Sequence, residues 1–170
     1  ILGNQYYGAD ALGIPGRKRS HTDDSVMYKY YENQGSAISK AAMSLTVDAG
    51  CEDGGGVTCR TQYFAGFMAY NRLWFDHDHY GLTLGGGAIK NPGRYLVLLP
   101  PINGASASSG TPYFTENPGD NYTAWDLQVT GDYMPNRNTT FRLEYTHREA
   151  SVPYFTGHGG VTPPGGNQGS

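Results

Sequence analysis

The sequence predicts an all-β, antiparallel up-and-down fold, and two features carry that expectation. Glycine and aromatic residues are both in excess: 25 glycines, 14 tyrosines, 6 phenylalanines and 2 tryptophans in 170 residues. Average glycine usage is about 7 %. Glycine at this density disfavours long helices, because each interior Gly costs roughly 1 kcal/mol relative to Ala, whereas aromatic rings suit a pleated, half-buried surface. The second feature is a period of two in apolar residues that recurs along the chain.

The first such segment runs from Val26 to Tyr31, with Val26, Tyr28 and Tyr30 opposite Met27 and Lys29. From Ala41, the residues Ala41, Met43, Leu45 and Val47 face away from Ala42, Ser44, Thr46 and Asp48, which describes a half-buried strand. Tyr63, Ala65, Phe67, Ala69, Leu73 and Phe75 share one parity with Asn71 interrupting, a weaker pattern. Tyr80, Leu82 and Leu84 begin a further strand that runs into Gly85-Gly86-Gly87.

The clearest alternation comes last. Trp125, Leu127, Val129, Gly131 and Tyr133 oppose Asp126, Gln128, Thr130 and Asp132; a polar turn follows over Met134 to Asn138. Phe141, Leu143 and Tyr145 then oppose Thr140, Arg142, Glu144 and Thr146, so residues 124–148 read as a β-hairpin. About six strands are expected, within an antiparallel unit of residues 1–156 followed by a Gly/Pro-rich tail of residues 157–170 that cannot form strand or helix interior. A long loop is expected over residues 88–122, which hold five prolines and the run Gly104 to Gly110.

Charge and hydropathy narrow the function classes. The net charge of −3 carries no basic footprint, so nucleic acid is a poor partner. No apolar run approaches the roughly 20 residues of a membrane-spanning helix. Low mean hydropathy does not exclude a membrane β-barrel, whose strands alternate apolar and polar faces. The chain begins at Ile1 with no initiator Met and no charged-then-apolar leader, as a mature product or a fragment does.

The apolar face meets either a second sheet or lipid. Aromatics near strand ends (Trp74-Phe75, Tyr80, Trp125, Tyr133, Tyr145, Tyr154-Phe155) and the alternation of short turns with long Gly/Pro-rich excursions favour lipid.

Specific strings point the same way. Tyr70-Asn71-Arg72-Leu73-Trp74-Phe75, Tyr80-Gly81-Leu82-Thr83-Leu84-Gly85-Gly86-Gly87 and the run from Asn91 to Gly104 resemble the OmpL-like beta-barrel porin family of Gram-negative outer membranes. Ala124-Trp125-Asp126, Asp132-Tyr133-Met134-Pro135, Phe141-Arg142-Leu143-Glu144-Tyr145 and Val152-Pro153-Tyr154 are similar to the same family, so the resemblance covers most of residues 60–165. It implies a segment of an outer-membrane β-barrel, since members of that family are much longer chains that close a barrel by themselves. The implied partners are outer-membrane lipid and small polar solutes that diffuse passively. About six strands fall short of the eight of the smallest barrel, so a piece of a larger barrel and a homo-oligomer are both open.

On that reading Arg72, Asp76, Asp126, Gln128, Arg142 and Glu144 are the expected pore-lining residues. Cys51 and Cys59 flank a glycine-rich stretch in a chain expected to be exported, which predicts a disulfide that pins an extracellular loop. Asp76-His77-Asp78-His79 is the densest set of metal-ligand residue types. On a strand, however, His77 and His79 would face away from Asp76 and Asp78, so a divalent metal would need further ligands and an exposed strand end or turn is the simpler account. No cofactor is otherwise implied. No Gly-x-Ser-x-Gly elbow occurs and no Lys-Ser/Thr follows the glycine run, so neither nucleophilic catalysis nor phosphate binding is supported. The alternative is a secreted soluble β-protein, either a glycan-binding module or a metal-assisted hydrolase using the Asp76 to His79 cluster.

Overall fold

The computed structural model describes residues 1–9, 15–92 and 121–151. They form seven antiparallel strands: β1 (Leu2–Ala9), β2 (Lys18–Glu32), β3 (Ile38–Asp53), β4 (Tyr63–Phe75), β5 (Tyr80–Asn91), β6 (Tyr122–Asn136) and β7 (Thr139–Ala150). Each strand pairs with its sequence neighbours in one sheet of order β1 to β7, an up-and-down meander. The expected all-β antiparallel class is therefore the class observed. Among the described residues β1 and β7 each keep one open edge.

The sheet has one strand more than the sequence suggested. In β1, Leu-Gly-Asn-Gln-Tyr-Tyr-Gly-Ala offers no contrast between its two faces, so period-two reading passes over it; Tyr6 and His21 nonetheless sit opposite each other in an unbroken ladder with β2. The expected loop also starts later, because Ala88 to Asn91 complete β5 against Tyr122 to Trp125 of β6. The inner part of that loop, residues 93–120, and the expected tail lie outside the described residues. Gly85, Gly86 and Gly87 are strand interior, not a strand end. A Cβ at Gly86 would lie 2.2 Å from the Asp126 carbonyl oxygen and one at Gly87 2.2 Å from that of Phe67, so side chains are excluded by the close approach of neighbouring backbones.

Strand lengths and connections have a consistent polarity. β2 to β7 run 12 to 16 residues, well beyond the mode of about five or six in globular sheets and enough to cross a hydrocarbon core when tilted. At one end the strands are joined by residues 33–37, 76–79 and 137–138; at the other by residues 10–17, 54–62 and 92–121. Short and long connections thus segregate to opposite ends. The tightest turn is set locally, where the Asn136 side chain accepts a hydrogen bond from the Asn138 amide at 2.9 Å.

Burial is inverted relative to a soluble sheet. Leu127, Val129, Met43, Leu84 and Phe67 are all exposed, while Thr130, Asp132, Glu52 and Asn91 are buried. The only buried apolar side chains among the described residues are Ala41, Tyr122 and Ala124. A single sheet can bury one face without a second layer only by curling around it. Met27 of β2 and Arg142 of β7 line the same cavity on the polar side, so that side is concave and the apolar side convex.

Candidate functional site

The concave face is a grid of polar rows fixed by register. One row reads Lys40, Trp74, Gly81, Asp132 and Arg142; the next reads Ala42, Arg72, Thr83, Thr130 and Glu144. Beyond them come Ser44, Tyr70, Gly85, Gln128 and Thr146, then Thr46, Met68, Gly87, Asp126 and Arg148. Of the six residues expected to line a pore, Arg72, Asp126, Gln128, Arg142 and Glu144 share this face.

Asp76 does not. It opens the β4–β5 turn, where Asp76, His77 and Asp78 have φ of 47°, 51° and 71°, and its side chain is 65 % exposed. Strand parity therefore stops applying at Phe75 and no longer assigns Asp76 to a face. The same turn disposes His77 and His79 differently from the strand picture: His79 Nδ1 lies 2.7 Å from the Asp76 carbonyl oxygen. Among the described residues no three His, Cys, Asp or Glu side chains converge in a way that would hold a metal ion.

The centre of the face is an ionic cluster around Asp132, whose side chain has no solvent exposure. Arg72 Nη1 lies 2.6 Å from Oδ2. Arg142 donates from Nε to Oδ1 at 2.8 Å and from Nη2 to Oδ2 at 3.3 Å. Arg72 reaches from β4 across β5, and Gly81 makes that crossing possible, since a Cβ there would stand 2.8 Å from Arg72 Nη2. Its guanidinium also sits 4.9 Å from the Trp74 ring centroid and donates to Thr83 Oγ1 at 3.2 Å. An acid buried among two arginines is compensated; the same acid facing lipid or an apolar core would not be.

Neighbouring groups are held more loosely. Thr130 Oγ1 donates to Glu144 Oε2 at 3.3 Å, and Gln128 Nε2 donates to Thr130 Oγ1 at 3.4 Å. Asp126 Oδ1 is buried with no hydrogen-bond partner. Tyr70 lies against its cross-strand partner Gly85, where a Cβ would be 2.2 Å from the ring Cδ1, so the ring covers bare backbone and lines the cavity above it.

Two further clusters sit at the two ends of the sheet; the sequence led to the Cys51–Cys59 disulfide and to Asp78, but not to Glu52 or to the Ser39 and Lys40 partners of Asp78. At the long-loop end Glu52 is buried, held by Arg19 Nη2 at 2.6 Å and by Gln62 Nε2 at 3.3 Å. Cys51 and Cys59 are joined in a disulfide beside it, which ties residues 54–62 to the end of β3. Parity with Ser44 and Thr46 would have placed Glu52 on the polar face had the strand been extended that far. At the short-turn end the Asp78 carboxylate accepts from Ser39 Oγ at 2.7 Å and from Lys40 Nζ. Burial raises the Asp78 carboxyl, but the hydrogen bonds from Lys40 and Ser39 outweigh it and hold the group below its ordinary value.

The convex face completes the geometry. Phe75, Tyr80, Tyr133 and Phe141 form one cross-strand row at the short-turn end, with Tyr80 and Tyr133 stacked at 5.3 Å and Tyr133 and Phe141 at 6.2 Å. Phe67 and Trp125 mark a second row, separated from Phe75 by about 26 Å along the strand. Leu73, Leu82, Leu84, Val129 and Leu143 fill the interval. Compared with known proteins, the chain matches no family model, no curated protein and no solved structure.

Proposed function

We propose that this chain is a segment of an outer-membrane β-barrel porin of a Gram-negative bacterium, through which small polar solutes diffuse passively. The observation that carries the reading is the inversion of burial. Asp132 and Thr130 are enclosed on one face while Leu84, Leu127, Val129 and Leu143 stand exposed on the other. In water that arrangement leaves a broad apolar surface unpaid for by any core; in lipid the apolar face is solvated and the polar face lines an aqueous interior.

Three other features agree with it. Two aromatic rows bound an apolar band whose height is of the order of the roughly 25 Å found in such barrels. Short turns collect at one end and long connections at the other, as periplasmic and extracellular connections do. The Tyr70 to Phe75 and Phe141 to Tyr145 strings, which resemble OmpL-like porins, lie within β4 and β7 of this sheet. Open edges are not tolerated in a bilayer, so further strands must join along β1 and β7, from a longer chain or from additional copies.

Reconstitution tests the reading. Purified chain added to planar bilayers should give stepwise, ohmic conductance and should need detergent to stay dispersed. A monomeric protein that is soluble without detergent and leaves bilayers silent would overturn it.

A further inference from the structure

We infer that the cavity over the Asp132 cluster is a binding site for neutral saccharides, the solute class that the channel proposed above would favour; the inference rests on that proposal. The cavity, about 320 Å³, lies in the concave trough toward the short-turn end and is lined by Tyr70, Arg72, Gln128, Arg142 and Glu144. That volume falls at the lower end of the 300–1,000 Å³ range of small-molecule pockets.

Charge selects the class. Arg72 and Arg142 are balanced by Asp132 beneath them and Glu144 beside them. An anion drawn to Arg142 therefore meets Glu144, and a cation drawn to Glu144 meets Arg142, so neither gains a net field. A neutral ligand with many hydroxyls uses both signs at once. Its hydroxyl oxygens accept from Arg142, which spends only Nε and Nη2 on Asp132, and from the Gln128 amide. Its hydroxyl protons go to Glu144, whose bonds to Thr130 and Thr146 are long, 3.3 and 3.4 Å, and readily exchanged. Tyr70 supplies the remaining requirement, an aromatic surface for the C–H face of a pyranose ring, fixed in place by its contact with Gly85.

The test measures equilibrium binding of glucose, glucuronate and glucosamine to the full chain in detergent micelles, followed by intrinsic fluorescence, with bilayer conductance recorded separately. Saturable glucose binding, several-fold tighter than binding of either charged sugar, is expected. Glu144→Gln removes one negative charge from an exposed side chain and keeps an oxygen that can accept from Thr130, so the sheet should be unaffected; glucuronate should then overtake glucose by about tenfold. Arg142→Gln should favour glucosamine in the same way. Absence of saturable glucose binding, or an unchanged ranking in Glu144→Gln, overturns the inference. Conductance without glucose binding removes the site and leaves the porin reading; glucose binding without conductance removes the porin reading and leaves the site.

Discussion

Arg72 on β4 and Asp132 on β6 are bonded across an intervening strand, Nη1 to Oδ2 at 2.6 Å, over the bare backbone of Gly81 on β5. The contact spans three strands. A side chain at position 81 would stand in the path, so Gly81→Val should detach Arg72 from Asp132 and destabilise the sheet by about 1–3 kcal/mol. Unfolding in detergent checks it. The cost should shrink when Arg72→Ala is already present, because both changes remove the same bond.

Asp132 and Arg142 should differ in how much their loss costs. Asp132 is fully enclosed and its removal leaves two guanidinium groups uncompensated, so Asp132→Ala should cost about 3–5 kcal/mol. Arg142 is 55 % exposed and Asp132 retains Arg72 without it, so Arg142→Gln should cost about 1 kcal/mol or less. Equal losses in unfolding experiments would mean that the cluster is not built around the acid.

The disulfide should act locally. Cys51 and Cys59 close a short loop, worth about 2–3 kcal/mol on chain-entropy grounds. Reduction should expose amides of residues 54–62 to hydrogen exchange and loosen Glu52 from Gln62, while β5 to β7 keep their protection. Loss of protection throughout the sheet would show instead that the long-loop end nucleates the fold.

Acid should loosen the short-turn end. The Asp78 carboxyl is held below its ordinary value, so the unfolded turn binds more protons than the folded one and stability rises with pH across that window. The contribution is complete above the unfolded carboxylate value of about 4 and is lost as pH falls through the lowered folded value. Hydrogen exchange at Ser39 and Lys40 should accelerate there, and Asp78→Asn should abolish the pH dependence.

How much of this was legible depended on contrast between faces. The β6–β7 hairpin was readable almost whole, because Trp125 to Tyr133 and Asp126 to Asp132 differ sharply in polarity. β1 and the first half of β2 were not: Leu2 to Ala9 mixes glycine, amide and tyrosine on both faces, and Lys18 to Ser25 is polar on both. Parity placed Arg72, Asp126, Gln128, Arg142 and Glu144 on one face, as the sheet does, and stopped applying at Asp76, where positive φ ends the strand. The alternation placed Asp132 on the polar face but could not single it out. Its partners come from β4 and β7, and the reach of Arg72 from two strands away depends on register and on a glycine in the strand between, which no local window contains.

The two faces should respond oppositely to charge, and this is the sharpest consequence of the inverted sheet. Leu84 lies midway along the apolar band, in the cross-strand row Met43, Asn71, Leu84, Val129 and Tyr145, and is 49 % exposed. Thr46 lies on the concave face, one row from Ser44, with Met68 and Gly87 beside it. If the convex face meets hydrocarbon, Leu84→Arg should cost about 2–4 kcal/mol in lipid, the penalty for a cation near the bilayer midplane of a barrel. Thr46→Lys should be nearly neutral for folding and instead alter ion selectivity, because its ammonium group enters water. In a sheet whose apolar face met only water, Leu84→Arg would be harmless or would improve solubility. Refolding of the two variants into vesicles, measured side by side against the parent chain, separates these cases by the sign of a single comparison.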